Sequence, residues 1–377
     1  MNEPKNPFPV SGYYGIKLFC DREDETKRLI SNIRNGINTT LLSIRRMGKT
    51  GLIFHVFETL KSNRKIECIY IDIYATQTLK DFTNHLAAGI LKAFPEKNSL
   101  GKKFMLLLKS LRPVISFDSL SGDPEISFDF STAKQNEQSL AGLFSFLETQ
   151  NIQIVIAIDE FQQIATYPEK NTEALLRTLI QPLKNVRFIF SGSNRHMLSD
   201  IFSSSKRPFF SSTQPMDLLP IKENIYLGFI NKLFQANKRK IHPDALAFIA
   251  EWTRLHTYYT QVVCNRIYAT GKTNITLETV QQECSNLLNE QSAIFLQYRN
   301  LLTPVQWNLL KAIAKEDKVY QPTAKQFVSK HQVGTTANVQ RALEALITKE
   351  MIYKDQDKNG NYYRVYDCFL SRWLENH

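Results

Sequence analysis

Apolar positions along the chain fall into two recurring patterns. Short, nearly unbroken apolar runs, "NTTLLSI", "IECIYIDIY", "IQIVIAIDEF" and "VRFIFSGS", read as buried strands. Between them lie stretches with apolar residues at helical spacing. "DREDETKRLISNIRNG" places Leu29, Ile30 and Ile33 on one face, with Asp21 as the expected N-cap and Gly36 as the stop. "TGLIFHVFETLKS" repeats the pattern with Ile53, Val56, Phe57 and Leu60, and "LKDFTNHLAAGILKAF", "SLAGLFSFLETQ" and "EALLRTLIQPL" read as further helices. "VISFDSLSGDPEISFDF" alternates instead around a Ser-Gly-Asp-Pro turn, which predicts a β-hairpin inserted among the core elements. Strands alternating with helices over this length predict an α/β domain built on a parallel sheet.

After Pro220 the pattern changes. Residues 221–292 read as helices only, with no strand evident. The last segment changes again. "TPVQWNLLKAIAK" is a helix with Thr303 as N-cap and Pro304 at its first position. "TAKQFVSK" and "TTANVQRALEALITKEM" are two more, and two strands follow around Asn359-Gly360. Three helices and a hairpin are the order of a winged helix. The domains expected are therefore an α/β core over 1–220, a helical lid over 221–292 and a winged helix over 293–377. Residues 1–18, rich in Pro and Gly, are expected at the surface, and Phe369 and Trp373 are expected to pack onto the wing.

Composition adds little that is specific. The 377 residues are 43% hydrophobic and 22% charged, as in globular proteins, and carry a formal net charge of +11. That excess favours polyanions but is spread along the chain, so a solvated basic surface explains it equally well. Five cysteines without a C-x-x-C exclude a disulfide framework or zinc site as the expected reading and fit a reducing cytoplasm. No apolar run approaches the length of a membrane span, and the first residues show no signal-peptide pattern.

Candidate chemistry begins at "SIRRMGKT", residues 43–50. It matches the phosphate-loop pattern G-x-x-x-x-G-K-[ST] except that Ser43 replaces the first glycine. The loop sits between a strand and a helix, as that motif requires. Gly48 would let the backbone approach phosphate, Lys49 would reach the β- and γ-phosphates, Thr50 would place its hydroxyl on Mg2+, and Met47 would contribute its backbone N–H. A chance Gly-Lys-Thr is common, but a second part appears where it should: Asp159 and Glu160 end a buried strand. Adjacent acids there are costly without a cation or a catalytic task. Asp159 would hold Mg2+, and Glu160 would polarise an attacking water as general base. A third part is "FIFSGSN", whose Ser193 or Asn194 would contact phosphate or water, although a plain strand-to-loop turn reads as well.

Together "FCDREDETKRL", "RRMGKT", "YIDIY", "IDEFQ" and "SGS" resemble the archaeal-type ATPases, a STAND branch of the P-loop NTPases close to AAA+ proteins. That family's loop reads G-P-R-R-x-G-K-T, matched by Arg45, Arg46, Gly48, Lys49 and Thr50. The resemblance implies an ATP-binding core with a lid and a winged helix, ATP and Mg2+ as cofactors, phosphate and Mg2+ contacts from Lys49 and Thr50, Mg2+ at Asp159, and Glu160 as catalytic acid/base. Two departures stand out. Ser43 is tolerable if its backbone avoids the left-handed region. In the lid, Leu255, His256 and Thr257 replace the family's G-x-P turn, which would alter adenine recognition or pass it to an aromatic such as Tyr258, while a packed helix start also explains them. Arg207 would serve as a cationic finger, in cis or offered by a neighbour in a nucleotide-dependent homo-oligomer, or be a plain surface charge. With Ser43, Met47, Gly48, Lys49 and Thr50, Arg45 and Arg46 are expected in the nucleotide-binding loop, although their side chains would brace lid or winged helix by salt bridges instead of touching nucleotide. The helix Thr335–Lys349 and the hairpin with Lys354, Lys358 and Arg364 would meet DNA or a protein partner. The function expected is a slow Mg-dependent ATPase acting as a nucleotide-driven conformational switch, with a nucleotide-gated DNA-binding or regulatory adaptor as the alternative and a replication-initiator-like protein as a third.

Overall fold

A computed structural model describes residues 5–63, 65–130 and 132–377, so residues 1–4 of the opening segment lie outside the described residues. The chain divides into two compact units that part after Pro220, and each is described by itself.

The first unit runs α1 (Glu23–Arg34), β1 (Thr39–Leu42), α2 (Lys49–Leu60), β2 (Ile66–Asp72), α3 (Leu79–Ala93), α4 (Ser99–Leu111), β3 (Val114–Phe117), β4 (Pro124–Ser127), α5 (Ala133–Glu148), β5 (Gln153–Asp159), α6 (Thr172–Ile180), β6 (Val186–Gly192), α7 (Arg195–Ser203) and β7 (Gln214–Asp217). Five strands form one parallel sheet in the order β2-β5-β6-β1-β7. Both faces are covered, which is why β1 and nearly all of β5 and β6 are buried rather than alternating. Ile154, Ile156, Ile158, Phe188 and Phe190 face one core, shared with α3, α5, α6 and α7. Val155, Ala157, Ile189 and Leu41 face the other, shared with α1 and α2. Thr78 and Asp81 close a capping box at α3, and Thr132 and Gln135 one at α5. The predicted hairpin is present as β3–β4, and β4 packs on α3.

The cap of α1 differs from expectation. Its N-cap is Arg22, not Asp21, and both residues are left-handed, at φ 67° and 53°. The chain turns that way to send the buried Arg22 guanidinium inward, where it donates to the Leu219 carbonyl at 2.7 Å and pairs with Glu25 at 2.9 Å.

The second unit combines residues 5–10 with α8 (Glu223–Ala236), β8 (Lys240–Ile241), α9 (Pro243–Thr253), α10 (Thr257–Ala269), β9 (Asn274–Ile275), α11 (Leu277–Leu301), α12 (Pro304–Glu316), α13 (Lys325–His331), α14 (Thr336–Thr348), β10 (Ile352–Asp357), β11 (Gly360–Val365) and α15 (Cys368–Glu375). Four expectations are corrected here. The opening segment is not wholly at the surface: Phe8 is fully buried, with its ring 4.7 Å from Phe234. The lid stretch does contain strands, the two-residue parallel pair β8–β9, too short to leave an alternation. The wing turn is Lys358-Asn359 rather than Asn359-Gly360, because Asp357 pairs with Gly360, which carries the positive φ of 115°. Phe369 and Trp373 turn their rings to helices, although α15 also touches β11 of the wing. The Phe369 ring lies 5.6 Å from that of Trp252 and edge-on 4.7 Å from that of Tyr259, and Trp373 lies 5.7 Å from Phe295 and 6.4 Å from Trp307. The short helix α15 is strongly amphipathic, and its apolar side finds a larger surface on α9–α12 than on a two-stranded wing. Thr303 and Pro304 start α12 as predicted, and Gln306 completes a capping box with Thr303. α11 runs without a break through residues 292 and 293.

Candidate functional site

Parallel strands deliver their carboxyl ends to one rim of the sheet, and there the chain places the loop after β1, Glu160 after β5 and Ser193 after β6. The loop is anchored by Met47, whose side chain is buried in the core beside Leu29 and Leu52 instead of offering only its backbone. Gly48 sits at φ 93° as the N-cap of α2, and that helix has no side-chain cap. Its leading N–H groups therefore remain available to an anion. Arg46 is left-handed at φ 62°, and Ser43 is not, so the first-glycine position needs no glycine here.

Lys49 is only 6% exposed and folds back over its own loop. Its ammonium donates to Ser43 Oγ at 3.1 Å and to the Ile44 carbonyl at 3.2 Å. Burial holds its pKa below the ordinary lysine value against the pull of Asp159 and Glu160. A buried ammonium satisfied by neutral loop oxygens is a site an anion would occupy in their place.

Asp159 is 4% exposed and accepts three hydroxyl donors. Thr50 Oγ1 reaches Oδ2 at 2.8 Å, Tyr70 OH the same oxygen at 3.0 Å, and Ser191 Oγ reaches Oδ1 at 2.7 Å. Burial, then the charges of Asp159 and Asp72, push the Tyr70 phenol up, so it stays a donor. Glu160 is left-handed at φ 56°, which swings its carboxylate toward β6. Glu160 Oε2 accepts from Ser193 Oγ at 2.8 Å, Ser193 N–H at 3.2 Å and Gln162 Nε2 at 2.5 Å. Gln162 fits only because residue 192 is glycine: a Cβ there would stand 1.9 Å from Gln162 Oε1. That oxygen is buried without a partner.

The structure thus brings Ser43, Lys49, Thr50, Asp159, Glu160 and Ser193 to one rim. Asn194 instead caps α7, accepting from the Met197 N–H at 3.1 Å. Arg207 is engaged elsewhere, 3.2 Å from Glu173 and 3.4 Å from Asp200. His256 caps α10, largely buried with its ring 4.7 Å from Tyr259, as the packed helix start implied. Tyr70, Ser191, Gln162 and Arg22 are the residues that sequence reasoning missed. Ser191 was within reach, since strand alternation puts it on the same face as Ser193.

The donors fit a Mg-nucleotide. Thr50 and Asp159 are hard oxygens side by side, as Mg2+ prefers, and among the described residues no group of three or more His, Cys, Asp or Glu gathers as a dedicated metal cage.

Residues 293–376 match a family model described as a probable winged helix domain. Over the whole chain, the backbone is similar to that of a Walker-type ATPase of Pyrococcus abyssi, with TM-score 0.68 and 18% identity, covering 98% of this chain and 99% of that one. The chain shares the fold of that protein. Two further structures share it. The Aeropyrum pernix ORC2 protein, solved as ADPNP-ADP complexes, gives TM-score 0.60 at 13% identity over 98% of this chain and 96% of that one. The ORC1 protein of the same organism, solved in complex with DNA, gives 0.54 at 12% over 99% and 96%. No curated protein matches the sequence. In this fold the rim just described is the loop-bearing edge of the α/β unit, and no helix among the described residues is long and apolar enough to cross a membrane.

Proposed function

We propose that the protein binds ATP with Mg2+ at the rim of its α/β unit and hydrolyses it slowly, as a nucleotide-driven conformational switch. One observation carries this reading: Thr50, at the open N-terminus of α2, is hydrogen-bonded at 2.8 Å to Asp159 at the end of β5. The two halves of a phosphate and metal site are joined by a single side-chain contact across 109 residues.

When bound, Mg·ATP supplies a phosphoryl group already polarised by the cation. The protein's own part is positioning. Lys49 exchanges its loop oxygens for phosphate oxygens, and the uncapped N–H groups of α2 orient them. Thr50 and Asp159 present two oxygens to the cation. Glu160 holds the proton-accepting carboxylate, with Ser193 and Gln162 fixing Oε2 and leaving Oε1 outside that cluster. The α/β unit would be the core of the switch, and the helical part and winged helix of the second unit its lid and reading head.

Isothermal titration and a phosphate-release assay test the assignment. Lys49→Ala should remove ATP binding. Glu160→Gln should bind ATP as the parent does and lose turnover by at least about a hundredfold. Turnover at the parent rate in the glutamine variant would sink the catalytic role.

A second reading, nucleotide-gated DNA binding, draws on the winged-helix elements α13 and α14 and on the DNA complex of the similar ORC1 fold. The exposed face of α14 is only modestly basic, with Arg341 already bonded to Asn338 at 2.8 Å. Salt-dependent binding of duplex DNA, lost on Arg341→Glu, would favour this reading.

A further inference from the structure

The strand β2 ends the sheet, and its outer side is open. Backbone pairing fixes which residues face outward. The Lys65 carbonyl accepts from Gln153 N–H at 2.9 Å, and Ile73 N–H donates to the Asp159 carbonyl at 3.2 Å. Odd positions thus turn toward β5. In a parallel strand the alternate residues point the other way, so Cys68, Tyr70 and Asp72 direct their N–H and C=O groups outward. Among the described residues no strand pairs with that edge. Open edges of this kind are usually shortened, charged or covered, because they template pairing with another chain.

Here the edge lies along a cavity of about 740 Å3. Phe54 of α2 flanks it on one face, its ring 4.8 Å from Tyr70. On the other face α3 sits close on β2, since a Cβ at Gly89 would meet Ile71 Cγ2 at 2.5 Å. The hairpin β3–β4, packed on α3, forms the far wall. The lining carries Asp72, Asp81, Asp123 and Glu125 against Lys92 and His85. Lys92 is already paired with Asp123 at 2.7 Å. This is an acidic groove on a chain of net charge +11. At the hairpin, Phe117 and Leu120 stand 66% and 96% exposed, an apolar tip without a partner in this unit.

We propose that this groove receives an extended, lysine- or arginine-bearing segment of a protein partner, added to the free edge of β2 as a further strand. Main-chain hydrogen bonds to Cys68, Tyr70 and Asp72 would supply affinity, and the carboxylates would select for cationic side chains. The inference is independent of the nucleotide reading, because none of its contacts requires a bound phosphate.

Fluorescence anisotropy on the full chain, with a labelled decapeptide of alternating valine and lysine, provides the test. A valine–glutamate peptide of equal length is the control. The basic peptide should bind and the acidic one should not. Glu125→Lys, at an exposed position outside the nucleotide rim, should weaken binding by about tenfold. Two versions of the basic peptide, N-methylated at odd or at even positions, leave the protein untouched and read the strand geometry. One should lose binding by about tenfold or more, because its N–H groups face β2, while the other should bind nearly as before. No binding by the basic peptide, equal binding of both charges, an unchanged Glu125→Lys protein, or equal effects of the two methylation patterns would each overturn the proposal.

Discussion

Two aspartates, one in each unit, show how the same side chain is used in opposite ways. Asp159 is surrounded by hydroxyls, from Thr50, Tyr70 and Ser191. Asp317 lies between guanidiniums: Arg254 at 2.6 Å and Arg364, which also donates to it. Hydroxyls orient a carboxylate without neutralising it and yield readily to a cation. Arginines neutralise it and do not leave. Arg254 also bonds Ser371 Oγ at 2.7 Å and the Val365 carbonyl at 3.3 Å, so the Asp317 cluster ties the turn after α9 to α12, β11 and α15. The first arrangement suits a ligand that comes and goes, and the second suits a permanent joint between the end of α9 and the winged-helix elements.

The largest effect that could break this contrast is at Asp159. Asp159→Asn keeps an acceptor for the hydroxyls but removes the charge a cation needs. The apo protein should melt within a few degrees of the parent. The stabilisation by Mg·ATP, about 2.7 kcal/mol at a hundredfold excess over Kd, should vanish in calorimetry. An undiminished ligand-induced shift would mean that Asp159 is structural, like its counterpart.

Asp317→Asn should do the reverse. It strands Arg254, which is largely buried, and should cost the second unit about 1–2 kcal/mol, discounted because the Asp317 side chain is 39% exposed. ATP affinity should stay as it was. The three tryptophans, Trp252, Trp307 and Trp373, all lie in the second unit, so their fluorescence in a urea titration reports that unit alone. Acid provides a finer version. Burial would raise the Asp317 pKa, but Arg254 and then Arg364 outweigh it and hold it below the ordinary carboxylate range. Its contribution is therefore complete above the unfolded value of about 3.9 and is lost as pH falls further through the depressed folded value. Tryptophan fluorescence should show an acid transition below about pH 4 whose Asp317-dependent part is missing in Asp317→Asn.

The contrast also explains what the sequence could reveal. Lys49, Thr50, Asp159 and Glu160 are read from a loop and a strand end because their order is set by local geometry. The shell around Asp159 is not local. Tyr70 looks like one more aromatic in a buried strand, and only the pairing of Asp72 with Asp159 places it beside the acid. The arginines around Asp317 come from residues 254 and 364 and are invisible to any window on 317. Among elements, β7 escaped because four residues including Pro215 show no alternation, and a proline is tolerated there because β7 is an edge strand. The helix α4 escaped as a mixed stretch between a proline and the hairpin, although only Gly101, Phe104 and Leu108 of it are buried.

The smallest effect concerns the turn that aims Arg254. Arg254 and Leu255 are consecutive left-handed residues, at φ 57° and 54°. Leu255 thus holds, with a β-carbon, a conformation that glycine adopts freely. Ser43 is the opposite case: its backbone is not left-handed, and its hydroxyl holds Lys49. A left-handed leucine costs roughly 1 kcal/mol, and glycine would return most of that while adding unfolded-chain entropy of similar size. Leu255→Gly should therefore move the tryptophan-reported melting of the second unit upward by less than about 1 kcal/mol, with the Arg254–Asp317 pair intact. A clear loss of stability would show that the half-buried Leu255 side chain, rather than the backbone, fixes the direction of Arg254, and the joint at Asp317 would then depend on packing as much as on charge.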